Sequence, residues 1–125
     1  AAPWLSMSAR FRKEITVEAQ QKDKDSILAF YKKLIAMRKT YPVIAEGGIS
    51  FLETGTDMVL AYQRILGEQQ LVVLCNLDGK RQTIKTSGQW KDFKVLLENY
   101  EGREMVLEEG TFTMEPYGFI VLISK

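Results

Sequence analysis

Apolar residues at Ile27, Phe30, Tyr31, Leu34, Met37 and Tyr41 recur at spacings of three and four, the period of one helix face. Leu28 and Ile35 widen the stripe. Just before it, Asp23, Asp25 or Ser26 can each accept a hydrogen bond from the free N–H groups of a first helical turn. Lys32, Lys33, Arg38 and Lys39 fill the C-terminal half, where cations suit the helix dipole. Pro42 cannot continue the hydrogen-bond ladder and biases Tyr41 away from helical angles, so the pattern predicts a helix that stops near Thr40. Residues 1 to about 21 show no sustained period, and with Pro3 and scattered charges they read as irregular.

Beyond Gly47-Gly48 the period changes. ISFLET, MVLAYQRI, LVVLCNL, RQTIK, FKVLLEN, EMVL, TFTM and FIVLIS are short runs rich in β-branched and aromatic residues. Turn chemistry separates most of them, at Gly55, Gly67, Asp78-Gly79, Glu101-Gly102, Glu109-Gly110 and Pro116-Tyr117-Gly118. LVVLCNL is apolar on both faces, as a central strand would be. The expected fold is therefore mainly β, an antiparallel β-sandwich preceded by one amphipathic α-helix. The expected division places the irregular head and helix in residues 1–46 and the β-domain in 47–125, joined at a hinge-like Gly47-Gly48.

Composition narrows the chemistry. With 125 residues the chain fits one domain able to bury about two thirds of its unfolded surface. Its 17 basic and 16 acidic side chains are well mixed, which argues against a nucleic-acid footprint. No apolar run approaches the ~18 residues of a membrane span. The head lacks the apolar core of a signal peptide and begins without a methionine, so position 1 is not expected to be a natural start. Histidine is absent, which removes His-based triads and imidazole zinc sites. The one cysteine, Cys75, lies inside LVVLCNL and reads as a packed structural thiol suited to a reducing cytoplasm. No cofactor or metal site is expected.

Catalytic candidates are thin. Glu53 with Asp57, Glu98 with Glu101, and Glu108 with Glu109 are the neighbouring carboxylate pairs that a glycosidase would need. All flank turns or strand ends, where acids serve solubility. Trp90, in GQWKDFKVLLENY, is a weak candidate for stacking on a sugar, against the alternative that its ring belongs to the core. Neither GxGxxG nor GxxxxGK[ST] occurs. Residue by residue, no catalytic constellation emerges, and the chain reads as a domain built to pack against something.

The run from Ser26 to Pro42, with Ile27, Phe30, Tyr31, Lys32, Lys33, Leu34, Ile35, Met37, Arg38, Lys39 and Tyr41, resembles the last barrel helix of the oligo-1,6-glucosidase and α-glucosidase group of the α-amylase (glycoside hydrolase 13) family. Pro3-Trp4, then Lys13-Glu14-Ile15 and Val17-Glu18, is similar to that group's segment upstream of the helix; its Asn-Pro-Asn-Tyr stands here as Met7-Ser8-Ala9-Arg10-Phe11, with only an aromatic kept. The resemblance implies the end of a catalytic (β/α)8 barrel followed by the family's C-terminal β-domain. The Asp nucleophile, Glu acid/base and second Asp of such retaining enzymes would lie upstream of residue 1, so no catalytic residue is assigned and the piece should be inactive alone. Its implied partner is the barrel of the same polypeptide, acting on α-linked oligosaccharides. Severed from that barrel, the stripe Ile27, Phe30, Tyr31, Leu34 would fold back or self-associate. The rival readings are a carbohydrate-binding module and a free-standing protein-interaction domain.

Overall fold

The computed structural model describes residues 15–86, 88–100 and 110–125. The chain divides into two compact units, Ala1–Tyr41 and Pro42–Lys125.

In the first unit, helix α1 (Val17–Lys22) precedes helix α2 (Ile27–Thr40). α1 corrects the expectation of irregular structure up to residue 21. Six residues are too few to display an apolar period, and local chemistry forms the helix instead. Thr16 Oγ1 accepts the Ala19 N–H at 3.1 Å, and Lys22 Nζ donates to Glu18 Oε1 at 3.0 Å, one turn apart. Of the three cap candidates for α2, Ser26 takes the position, its Oγ accepting the Ala29 N–H at 3.2 Å. Asp23 serves the preceding turn, where its Oδ1 accepts the Asp25 N–H. The helix ends at Thr40 as the Tyr-Pro step predicts, with the Tyr41 N–H donating to Met37 O at 2.9 Å.

The second unit opens with a short helix, α3 (Val43–Glu46), that periodicity could not reveal. Pro42 caps it and Val43 is fully buried. Among the described residues seven strands follow: β1 (Gly48–Phe51), β2 (Val59–Leu66), β3 (Gln69–Asn76), β4 (Gln82–Thr86), β5 (Lys94–Glu98), β6 (Gly110–Met114) and β7 (Phe119–Ile123). They form an antiparallel five-stranded sheet in the order β1-β2-β3-β7-β5 and a two-stranded sheet, β4-β6. β3 is central, as its two apolar faces require. The EMVL run and the Glu101-Gly102 turn lie outside the described residues.

The two sheets share one core. Val59, Ala61, Val72, Leu74, Ile120 and Leu122 of the larger sheet meet Ile84, Phe112 and Met114 of the smaller. In the smaller sheet the alternation is strict: Ile84 and Phe112 pair and point inward, while Thr83 and Thr113 pair outside with hydroxyls 2.9 Å apart. The mainly β sandwich expected from the strand pattern is the fold observed.

Gly47 departs from its expected role as a hinge. A Cβ there would lie 2.6 Å from Val43 O, and Arg64 Nη2 donates to Gly47 O at 2.7 Å. This glycine is needed for close approach, and it fixes the α3–β1 corner onto β2 rather than loosening it.

Candidate interaction face

Antiparallel partners point to the same side of a sheet, so the register divides the five-stranded sheet into two faces. The inner face holds the shared core. The outer face carries the pairs Phe51–Tyr62, Tyr62–Val73, Leu60–Cys75 and Ile49–Arg64. Tyr62 meets Phe51 edge-on, with ring centroids 6.5 Å apart, yet Phe51 remains 72% exposed and Ile49 and Leu60 are exposed too. The signal for this surface stands in VLAYQR: Val59 and Ala61 point inward, but Leu60 and Tyr62, which a solvated face would make polar, are apolar as well.

Electrostatics on this face are quiet. Burial holds the Tyr62 hydroxyl above the usual tyrosine range, Cys75 adds to the rise and Arg64 partly offsets it. Burial alone pushes the half-buried Cys75 thiol up, toward the protonated form.

In the first unit, Ile27, Tyr31 and Ile35 of α2 are likewise open to water. Ile27 is 71% and Tyr31 61% exposed, and no residue of α2 is buried. Water-facing apolar stripes of this length mark contact surfaces.

Of the carboxylate pairs, only Glu53 and Asp57 fall wholly among the described residues. Glu53 and Asp57 lie on the β1–β2 loop beside an open concavity of about 440 Å³ that is also lined by Phe51 and Thr54. Glu98 sits on β5, while Glu101, Glu108 and Glu109 lie outside the described residues. Trp90 is 5% exposed and packs in the sandwich core, so its ring offers no flat face to a pyranose. Among the described residues no group of three or more Cys, Asp or Glu side chains could hold a metal ion. No helix among them is long and apolar enough to cross a membrane.

Comparison with known proteins gives these two surfaces a context. Residues 59–121 match the α-amylase SusG C-terminal domain, and residues 1–47 match the α-amylase catalytic domain. The chain belongs to the α-amylase family. It is similar to trehalose-6-phosphate hydrolase of Bacillus subtilis, with 33% identity over 124 residues that cover 95% of this chain and 21% of that protein. It is also similar to oligo-1,6-glucosidase of Parageobacillus thermoglucosidasius, with 31% identity over 101 residues covering 79% of this chain and 18% of that protein. The crystal structure of Bacillus licheniformis trehalose-6-phosphate hydrolase superimposes with a TM-score of 0.80 at 30% identity, covering 98% of this chain and 22% of the other. The chain thus spans about a fifth of the length of the curated relatives it matches. The family resemblance carried by the Ser26–Pro42 run is borne out. The match to a C-terminal domain favours that reading over a binding module or a free-standing adaptor.

Proposed function

We propose that this chain is the non-catalytic C-terminal part of an α-glucosidase that hydrolyses α-glucosidic bonds of oligosaccharides with retention of configuration. Its β-domain and last helix pack on the catalytic barrel of the same polypeptide and stabilise it. The observation that carries this reading is the exposure of Ile27, Tyr31 and Ile35 on α2, a helix with no buried residue, in a segment that matches a catalytic domain. A lone helix in water gains little stability without an apolar surface to cover it. Residues 1–46 then carry the end of the barrel and 47–125 form the C-terminal domain, with α3 as the joint that packs on the sandwich.

The reacting carboxylates of such an enzyme would lie on the barrel, so this chain is silent toward glucosides, and the parent enzyme works in the cytoplasm, where the single free Cys75 stays reduced. Without the barrel, the stripe Ile27, Phe30, Tyr31 and Leu34 pairs with a second copy. The test is the mass of the native polypeptide in its own cells, read by immunoblot with an antibody against these 125 residues. A single band several times larger than 14.3 kDa is expected; a band near 14.3 kDa would overturn the proposal.

A further inference from the structure

Tyr117 is the one non-glycine residue among the described residues whose φ is positive, at 53°. It stands third in the turn Glu115-Pro116-Tyr117-Gly118, closed by the Gly118 N–H donating to Glu115 O at 3.0 Å. A turn with proline second and positive φ third asks for glycine there, because a side chain meets the backbone. A bulky L-residue is disfavoured in this region by the contact of its Cβ with the backbone. The surrounding structure enforces the conformation: the Tyr117 N–H donates to Asp78 O at 3.0 Å, and Asn99 Nδ2 donates to Tyr117 O at 2.9 Å.

What this strain holds in place is an aromatic ring. Its phenol end leans over Gly79, where an added Cβ would meet Tyr117 Oη at 3.2 Å and Cζ at 3.6 Å. Glycine at 79 leaves room for the ring, and the side chain is still 67% exposed. Asp78 on the same β3–β4 turn and Gln82, the first residue of β4, are joined by a 2.8 Å hydrogen bond from Gln82 Nε2 to Asp78 Oδ2. A ring presented to water over Gly79, on a backbone bonded to Asp78 O, joins an apolar platform to a turn that carries hydroxyl-pairing groups in Asp78 and its partner Gln82.

We infer that Tyr117, with Asp78 and Gln82, forms a surface site that stacks a pyranose unit of an oligosaccharide. Choosing α-linked glucose as that unit rests on the proposed function; the platform itself does not. The site lies on turns at one end of the sandwich and involves neither Trp90 nor any catalytic group.

The test is an NMR titration of the isotope-labelled chain with isomaltotriose and, separately, maltotriose. Saturable shifts are expected at the amides of Gly79, Lys80, Tyr117 and Gly118 with at least one of the two. Tyr117→Gly should weaken binding about tenfold, the loss of one stacking contact, while Tyr117→Phe keeps it. Because Tyr117→Gly also relieves the turn, its melting temperature should hold or rise. No saturable shift with either sugar, or binding indifferent to Tyr117→Gly, overturns the inference. So does a melting temperature that falls in Tyr117→Gly with no sugar bound by the parent chain, which would confine the ring to packing on Gly79. None of these failures touches the docking role, which native mass tests separately.

Discussion

Asn76 closes β3 almost completely buried, and its side chain uses every polar hydrogen and its oxygen. Nδ2 donates to Lys80 O and Glu115 O, each at 2.8 Å, and Oδ1 accepts the Asp78 N–H at 2.9 Å. One amide therefore ties the β3–β4 turn to the β6–β7 turn, on which Tyr117 also depends. Asn76→Ala removes the side-chain partner of Lys80 O and of the Asp78 N–H and one of two donors to Glu115 O, which keeps the Gly118 N–H; each group left unpaired costs ~1–3 kcal/mol when enclosed. Because the turns can partly rehydrate, a total loss of about 2–4 kcal/mol is expected, read as a lower urea midpoint with an unchanged slope. Asn76→Asp is the sharper probe. Its carboxylate would face two carbonyl oxygens, so its folded pKa would be raised and the neutral form favoured. Stability relative to the parent chain should then fall as pH rises through that pKa, the reverse of an ion-paired aspartate. A variant insensitive to pH would mean the amide contacts are not retained in solution.

Between elements, the glycines at 47 and 48 separate a steric requirement from a permissive position. Gly47→Ala would push a methyl to 2.6 Å from Val43 O, whereas the nearest atom to a Cβ at Gly48 is Ile65 O at 3.9 Å. Gly47→Ala should cost ~1–3 kcal/mol, as overpacking does, with Gly48→Ala close to neutral. Equal effects at both positions in a thermal melt would remove the close-approach account of the corner. This corner also marks where sequence reading ran short. α2 was legible because its stripe, Ser26 cap and Pro42 stop agree across fourteen residues. β2, β3 and β7 were legible as dense β-branched runs. α1 and α3, at six and four residues, are made by Thr16, Pro42 and single contacts, below the length at which a period can show. Gly47-Gly48 reads in one dimension as freedom, and only the approach of Val43 O reveals constraint. Trp90 was ambiguous for a similar reason: an aromatic after a turn is core or platform according to what covers it, and the sandwich covers it. Phe51 and Tyr117, which remain open, carried no local mark to separate them from core residues.

For the whole molecule, function follows from what each unit leaves uncovered. The sandwich satisfies its own core, so the apolar surface of α2 is a surplus that folding alone does not explain. Ile27, Tyr31 and Ile35 are each more than half exposed. Covering such side chains fully yields about 1.5–3 kcal/mol apiece, while association forfeits ~4–15 kcal/mol of translational and rotational freedom. Two copies joined by this stripe alone should therefore form a weak, concentration-dependent dimer. On the proposed function, the same stripe held against a barrel in one polypeptide would escape most of that cost, so covalent continuity suits it better than a separate partner. Sedimentation velocity over a range of concentrations should show the 125-residue chain moving from monomer to dimer. Ile27→Glu combined with Tyr31→Glu should hold it monomeric without lowering the stability of the β-domain, since neither side chain is buried. A parent chain that stays monomeric at every concentration would remove self-association, and a double variant that still dimerises would move the contact away from α2, with the outer face around Phe51 the next surface to substitute.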